Sequence, residues 1–329
     1  MPANLTPQYH KALEAYRRAT SPEEELNCLQ EMLRELPKHK GTDKLQADLK
    51  AKISVLKKSA SSPSTKKGPG IRIPRQGAGR VILLGGPNSG KSQLLKSLTN
   101  AEPEIADYPF TTRTVQPGMM PWKDISIQII DTPPVTADYL EADLQNLIRG
   151  ADLCLFLIDL STDQGLEDAQ AAWEKLNTGK TKLSTFTGLD EEDIGVTHIK
   201  SFAIANKMDA EEAEDRLELL HELSQWVLQE FKISANDEST LDKLKEAIFE
   251  GLNVVRVYSK MPNKKEADFE KPFTLPSENC VLDFAGLVHQ DFVEKFKSAK
   301  VWTEGNHDAI SVKGDHVLKD RDIVELHLG

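Results

Sequence analysis

Cysteine is scarce in this chain. Its three cysteines, Cys28, Cys154 and Cys280, lie far apart and without metal-ligand spacing, which argues against a disulfide framework and against a cysteine-based zinc site. Long apolar runs are also missing. None approaches the length of a membrane span, and the start MPANLTPQYH lacks the apolar core of a signal peptide. The expectation is a soluble, cytoplasmic protein with reduced, packed thiols and no membrane partner; the oligomeric state stays open, with a monomer favoured. A hydrophobic content of 39% and a mean hydropathy of -0.43 fit that class. At 329 residues the chain has room for roughly two or three domains, each with its own core.

An overall positive charge is lacking as well. The formal net charge of -11 argues against indiscriminate nucleic-acid binding. Carboxylates, however, are absent from residues 49–80, which hold nine cations: Lys50, Lys52, Lys57, Lys58, Lys66, Lys67, Arg72, Arg75 and Arg80. Such a run can meet RNA or a ribosome surface through phosphates, or serve as a solvated linker, and composition leaves both open.

The chain begins with helical patterning. SPEEELNCLQEMLREL has Ser21 as N-cap, Pro22 at the first helical position and Glu24 placed for a capping box. Leu26, Leu29, Leu33 and Leu36 recur at helical spacing until Pro37 and Gly41 stop the run. DKLQADLKAKISVLKK supplies a second stripe through Leu45, Leu49, Ile53 and Leu56. Residues 1–60 therefore read as a helical hairpin, and residues 61–79 as a basic linker, with the irregular stretch SASSPSTKKGPG at 59–70 across their junction.

Residues 80–251 alternate differently. RVILLGG, ISIQIID, ADLCLFLID and IKSFAIAN are buried-strand candidates, separated by helical patterns at 92–98, 139–148, 170–176 and 212–231 and followed by one at 240–249. This α/β alternation predicts a mainly parallel sheet covered on both faces. Residues 177–195 show no period and read as an exposed excursion. Residues 252–329 change again, with strands at VVRVYSK, KPFTLPSENC, AKVWTEG and DIVELHL and one amphipathic helix at VLDFAGLVHQDFVEKF. That set predicts a small ubiquitin-like (β-grasp) α+β domain.

The strongest motif is GGPNSGKS at 85–92, set between a predicted strand and a helix, the context a P-loop requires. Its glycines let backbone N–H groups curl around phosphates, and the helix start adds its positive end. The candidate contacts are Gly85, Pro87, Asn88, Ser89, Gly90, Lys91, Ser92 and Gln93. Lys91 would neutralise β and γ phosphates, and Ser92 would offer its hydroxyl to Mg2+. Asp131, ending IQIID, is the natural second partner for the metal. Upstream, YPFTTRT offers Thr111 and Thr112 as hydroxyls for metal and γ phosphate, with Thr112 favoured. NKMD selects the base. Asp209 can accept from the N1 and N2 hydrogens of guanine, whereas adenine offers neither donor there, which disfavours an ATPase. Lys207 can cover the base and Asn206 can brace the loops, while Ser234 and Ala235 present backbone N–H groups to the guanine O6. In this order the motifs predict a GTP/GDP site.

GGPNSGKS, IADYPFTTRTVQPG, IIDTPP, NKMD and ISA resemble the motifs of GTPases of the Obg/DRG branch of the translation-factor-related class. VVRVYSKMPNKKEADFEKP through GDHVLKDRDIVEL resembles a TGS domain, and QEMLRELPKHKGTDKLQADL resembles the N-terminal helical region of DRG-type proteins. The resemblance implies hydrolysis of GTP to GDP and phosphate as a slow regulatory switch, association with the ribosome or structured RNA, and an activating protein partner. It also implies K+ held by Asn88 beside the phosphates, with a loop-stabilising role for Asn88 as the alternative. Lys91, Thr112 and Asn88 are then the candidate catalytic residues. The competing function is a GTP/GDP-binding regulator with negligible hydrolysis that binds protein. DRG proteins carry an inserted subdomain between switch II and the guanine motif, where this chain has room only for a short loop.

A donor is missing from this pattern. In the family's usual DxxG motif the glycine N–H binds the γ phosphate, but here that position is Pro134, which has no N–H. Val135 N–H would substitute only if the loop shifted by one residue. No glutamine follows to orient water, since Val135 occupies that place.

Overall fold

The computed structural model describes residues 5–19, 22–38, 42–61, 73–99, 115–138, 140, 142–179, 181–190, 196–224, 226–262, 264, 266–303 and 308–329. Three helices come first: α1 (Pro7–Arg18), α2 (Pro22–Glu35) and α3 (Asp43–Ser61). The expected hairpin is α2 and α3, and α1 joins it. Thr6 caps α1 by accepting from Tyr9 N–H at 3.1 Å, and Pro7 occupies the first turn. Tyr9, Ala12, Leu13 and Tyr16 then pack on Leu29, Met32 and Leu36 of α2 and on Leu49 and Ile53 of α3. A third apolar stripe lets this small unit bury a core that two helices alone could not close.

The central domain holds β1 (Arg80–Gly85), α4 (Lys91–Thr99), β2 (Gln116–Trp122), β3 (Ile125–Asp131), α5 (Ala142–Arg149), β4 (Leu153–Asp159) and α6 (Asp163–Asn177). It continues through β5 (Thr181–Ser184), β6 (Gly188–Leu189), β7 (Thr197–Asn206), α7 (Ala213–Leu223), β8 (Gln229–Lys232) and α8 (Glu238–Leu252). The sheet order is β2-β3-β1-β4-β7-β5, with β6 and β8 also pairing with β7. All these pairings are parallel except β2 with β3 and β6 with β7. Every residue of β1 and β4 is buried, as strands covered on both faces require. One face packs α5, α6 and α7 through Leu144, Leu166, Leu217 and their neighbours, and the other packs α4 and α8 through Leu94, Leu98, Leu244 and Ile248. Consequently the C-terminal ends of β1, β3, β4 and β7 open on one side, where a ligand crevice belongs.

Two expectations are corrected here. The helix expected at 212–231 ends at Leu223, and residues 229–232 form β8 beside β7. The excursion at 177–195 contains β5 and β6, both paired to β7, and buries Leu183.

The C-terminal domain contains β9 (Val254–Ser259), β10 (Phe273–Pro276), α9 (Val281–Val288), α10 (Gln290–Glu294), β11 (Phe296–Trp302), β12 (Ile310–Val312) and β13 (Asp322–Leu328). Its sheet order is β10-β9-β13-β11-β12, with β9 and β13 parallel at the centre. Val281, Phe284 and Ala285 of α9 seal Val257, Leu275, Ala299, Val301 and Val324, giving a β-grasp. The single expected helix breaks at His289, whose backbone is extended and whose ring caps α10 by accepting from Asp291 N–H at 3.2 Å. Among the described residues no helix is long and apolar enough to cross a membrane.

The basic run divides. Lys66, Lys67 and Arg72 lie outside the described residues, and Lys50 and Lys57 on α3 are exposed. Arg75 and Arg80 are part of the central domain. Arg75 donates to Gly150 O at 2.6 Å and pairs with Asp152. Arg80 donates to Gln128 Oε1 at 3.0 Å and Ile73 O at 2.6 Å. Burial, reinforced by Arg75, pushes its pKa down to about 10.

Candidate functional site

β1 delivers the chain into a loop at 86–90 that ends on the first residue of α4. Two glycines make the loop possible. Gly85 has φ +146° and Gly90 φ +91°, and a Cβ on Gly90 would lie 2.3 Å from Asn206 Nδ2. Asn88 takes φ +54°, a left-handed conformation that asparagine tolerates better than most residues. The loop is tied internally by Ser89 Oγ donating to Gly86 O at 3.0 Å. It is tied to β7 by Asn206 Nδ2 donating to Ser89 O at 2.9 Å.

Lys91 turns back into this loop and donates to Gly86 O at 2.7 Å, with Gly85 O and Ser89 Oγ each at 3.2 Å. Burial pushes its pKa down to about 8, against the attraction of Asp131. The next side chain faces that carboxylate: Ser92 Oγ donates to Asp131 Oδ2 at 2.5 Å. Among the described residues, Asp131 Oδ1 is buried without a hydrogen-bond partner. Burial raises the Asp131 pKa, while Ser92, Lys91 and Thr132 N–H oppose the shift. A hydroxyl oxygen beside an unpartnered carboxylate oxygen is a donor set suited to a hard divalent cation. Pro87, Asn88, Gln93, Thr132, Pro134 and Lys207 help line the adjoining cavity of about 630 Å³.

The loop after Asp131 is pinned at both ends. Thr132 Oγ1 donates to Leu83 O at 2.6 Å, and Val135 N–H donates to Gly85 O at 3.1 Å. Val135 is fully buried and Pro134 is exposed. The one-residue shift considered from the sequence is therefore not seen: the Val135 donor is bonded within the fold. Thr111 and Thr112 lie outside the described residues.

The NKMD turn follows β7. Lys207 has φ +63°, and its ammonium pairs with Asp159 Oδ2 at 2.6 Å. Asp159 Oδ1 in turn accepts from Ser161 N–H at 2.9 Å and Ser161 Oγ at 2.6 Å. Although burial opposes it, these bonds hold the Asp159 carboxyl below its usual pKa. Sequence reasoning missed this support for Lys207; the pointer was the aspartate ending LCLFLID, the counterpart on β4 of the one that ends ISIQIID on β3. Met208 N–H donates to Ile233 O at 3.1 Å, leaving Asp209 exposed. Ala235 O accepts from Ser97 Oγ of α4 at 2.9 Å, and Ser234 O accepts from Thr240 Oγ1 at 3.3 Å. Lys207 lines the cavity; Asp209, Ser234 and Ala235 lie beyond its lining on the connected β7 and β8 loops.

Residues 80–188 match the family described as "50S ribosome-binding GTPase", and residues 255–328 match the TGS domain. Developmentally-regulated G-protein 2 of Arabidopsis thaliana is 30% identical over 352 residues, covering 88% of this chain and 87% of its own. The chain belongs to the developmentally regulated G-protein family. It binds and hydrolyses GTP, as this branch of the P-loop GTPases does. Within the family, Ribosome-interacting GTPase 1 of Saccharomyces cerevisiae is 28% identical, covering 92% of this chain and 98% of its own. The YchF GTPase of Schizosaccharomyces pombe shares the fold, with a TM-score of 0.50 at 10% identity, covering 77% of this chain and 99% of that one.

Proposed function

We propose that this G protein is a slow, Mg2+-dependent GTPase switch that works in the cytoplasm on the ribosome or on structured RNA. The observation that carries the nucleotide chemistry is the Ser92–Asp131 pair, whose second carboxylate oxygen is buried and unpartnered at the phosphate loop. In this reading Gly85 through Gln93 cradle the phosphates, and Lys91 exchanges its loop carbonyls for β and γ oxygens. Ser92 and Asp131 would hold Mg2+, and Thr112 would join them. Mg2+ held there would supply positive charge to the phosphates. Asp209 reads the guanine edge, Lys207 covers the base and Asn206 braces the loops; Ala235 receives O6, and Ser234 joins it only on giving up the bond from its N–H to Thr240 Oγ1 at 3.3 Å. Asn88 would hold K+, which would supply charge otherwise delivered by an arginine finger.

Slow turnover follows from the switch loop. Pro134 has no N–H, Val135 N–H is already bonded, and neither side chain can orient water. An activating partner would then supply what the loop lacks. The same observation favours the second reading, a GTP/GDP-binding regulator with negligible hydrolysis that engages protein. The ribosome enters through the yeast relative's name and the exposed lysines of α3.

The test is GTP turnover with and without ribosomes, in K+ and in Na+ at matched ionic strength. The proposal expects stimulation by ribosomes, faster single-turnover hydrolysis in K+, and loss of the K+ advantage in Asn88→Ala. Identical rates in the two salts would return Asn88 to a structural role. No turnover under any condition, with tight GDP binding intact, would favour the second reading.

A further inference from the structure

The tip of the β2–β3 hairpin is held by the C-terminal domain. Asp124, at the turn, accepts from Arg256 Nη1 at 2.7 Å through Oδ1 and from the Tyr258 hydroxyl through Oδ2. Both carboxylate oxygens are thus engaged by β9. Arg256 is itself fixed: its Nε and Nη2 donate to Asp320 at 3.0 and 2.6 Å, and its backbone N–H donates to the same carboxylate at 2.8 Å. Its guanidinium lies 5.4 Å from the ring centre of Phe249 on α8. Burial opposes the charge on Asp124, yet the bonds from Tyr258 and Arg256 hold its pKa below the usual value. Arg256 is only 4% exposed, so water offers little alternative to these partners, and the contact is a joint rather than a rim pair.

β3 connects this joint to the phosphate site. It runs unbroken from Ile125 to Asp131, buried except at Ser126. It pairs with β2 along its whole length but with β1 only from Gln128 to Asp131. The hairpin forms the edge of the sheet and projects beyond β1 toward the C-terminal domain. A paired strand is stiff along its axis, so a displacement at Asp124 is carried toward Asp131 rather than absorbed between them. Asp131 is where Ser92 donates and where a carboxylate oxygen stands unpartnered.

We infer that Arg256 and Tyr258 are positioning residues for the nucleotide site: by gripping Asp124 they set the position of β3 and, through it, the Asp131 carboxylate beside Ser92. The inference rests on the nucleotide reading of that site. Coupling of this kind is reciprocal. A surface that engages the C-terminal domain alters the metal-facing end of the site, and a nucleotide-dependent shift of Asp131 reaches β9. The route bypasses the loop at 132–135, whose bonds to Leu83 and Gly85 restrain it.

The test uses the full-length protein, a fluorescent GDP analogue and a Mg2+ titration of its release, with amide hydrogen exchange of residues 125–131 alongside. In Asp124→Ala the Mg2+ concentration giving half-maximal slowing of release rises about 5-fold, and in Tyr258→Phe it rises by a smaller factor. Release in EDTA stays within about 2-fold of the parent, and β3 amides exchange faster in both variants. If Asp124→Ala does not fold, Tyr258→Phe decides alone. An unchanged Mg2+ midpoint with unchanged β3 exchange would overturn the inference. A parent whose GDP release ignores Mg2+ would instead overturn the metal role of Asp131, and the inference with it.

Discussion

Val135 N–H donates to Gly85 O at 3.1 Å, joining the loop after β3 to the last residue of β1. The donor nearest to the one that Pro134 lacks is thereby consumed inside the fold. Pro134 itself is exposed and lines the phosphate-side cavity with a ring instead of an N–H. To offer a backbone donor to a terminal phosphate, the loop would have to break the Val135 bond and withdraw a fully buried side chain. A G protein built this way has little means of sensing the γ phosphate through switch II, and its remaining parts must carry nucleotide affinity, metal binding and any response.

Nucleotide affinity has its specificity in Asp209. Asp209→Asn removes an ionic acceptor and presents a mismatched donor to the guanine edge, so GDP binding weakens by about 2–4 kcal/mol. Calorimetric titration of parent and variant checks this. ADP should bind the parent far more weakly than GDP, and equal affinities would contradict the role of Asp209.

The buried Lys91 makes a prediction about pH. Its pKa falls from 10.5 to about 8 in the folded chain. Between those values the unfolded state binds the proton and the folded state does not, so stability rises with pH across that window. Below pH 8 the buried ammonium costs the nucleotide-free protein up to about 3 kcal/mol. Urea unfolding without nucleotide should show the parent gaining on Lys91→Met from pH 8 to pH 10, while the variant loses GDP binding throughout. A pH-independent difference would contradict the buried, depressed lysine.

The cations at 49–80 separate by role. Reversing Lys50, Lys57, Lys66 and Lys67 to glutamate should weaken ribosome or RNA association and lower its salt dependence, with GDP affinity nearly unchanged. Arg80→Glu should instead destabilise the fold by about 3 kcal/mol, because Gln128 and Ile73 lose their buried donor. Cosedimentation across a salt series and thermal unfolding distinguish the two groups. Unchanged association in the lysine variant would move the contact elsewhere or remove nucleic acid from the account.

What could be read from sequence was what local pattern controls. β1, β3, β4 and β7 announced themselves as apolar runs because strands buried on both faces need no alternation. The P-loop and NKMD lie at their strand ends for the same reason. β2 was missed because Pro117, Gly118 and Pro121 argue against a strand, yet an edge strand has a free side on which proline is tolerated. α1 carried a usable pointer, Thr6 and Pro7 ahead of Tyr9, Leu13 and Tyr16, which the capping pattern at Ser21 overshadowed; Ser21 itself lies outside the described residues. The supports of the site were least legible. Asp159 reaching Lys207, Asn206 reaching Ser89 and Val135 reaching Gly85 each join the end of one strand to the loop that follows another. Sheet order decides those meetings, and no local period encodes it. The grip of Arg256 on Asp124 is the extreme case, since it joins two domains.

The switch loop gives the most direct test of the whole account. The lost charge-assisted bond removes about 1.5–3 kcal/mol of discrimination between nucleotide states. Affinities for GDP and for a non-hydrolysable GTP analogue, measured in Mg2+ on the parent and on Pro134→Gly, read that quantity. The glycine variant restores an N–H together with backbone freedom. The account predicts similar affinities for the two nucleotides in the parent and a selective gain for the analogue in Pro134→Gly. A parent already strongly selective for the analogue, with no gain in the glycine variant, would contradict it.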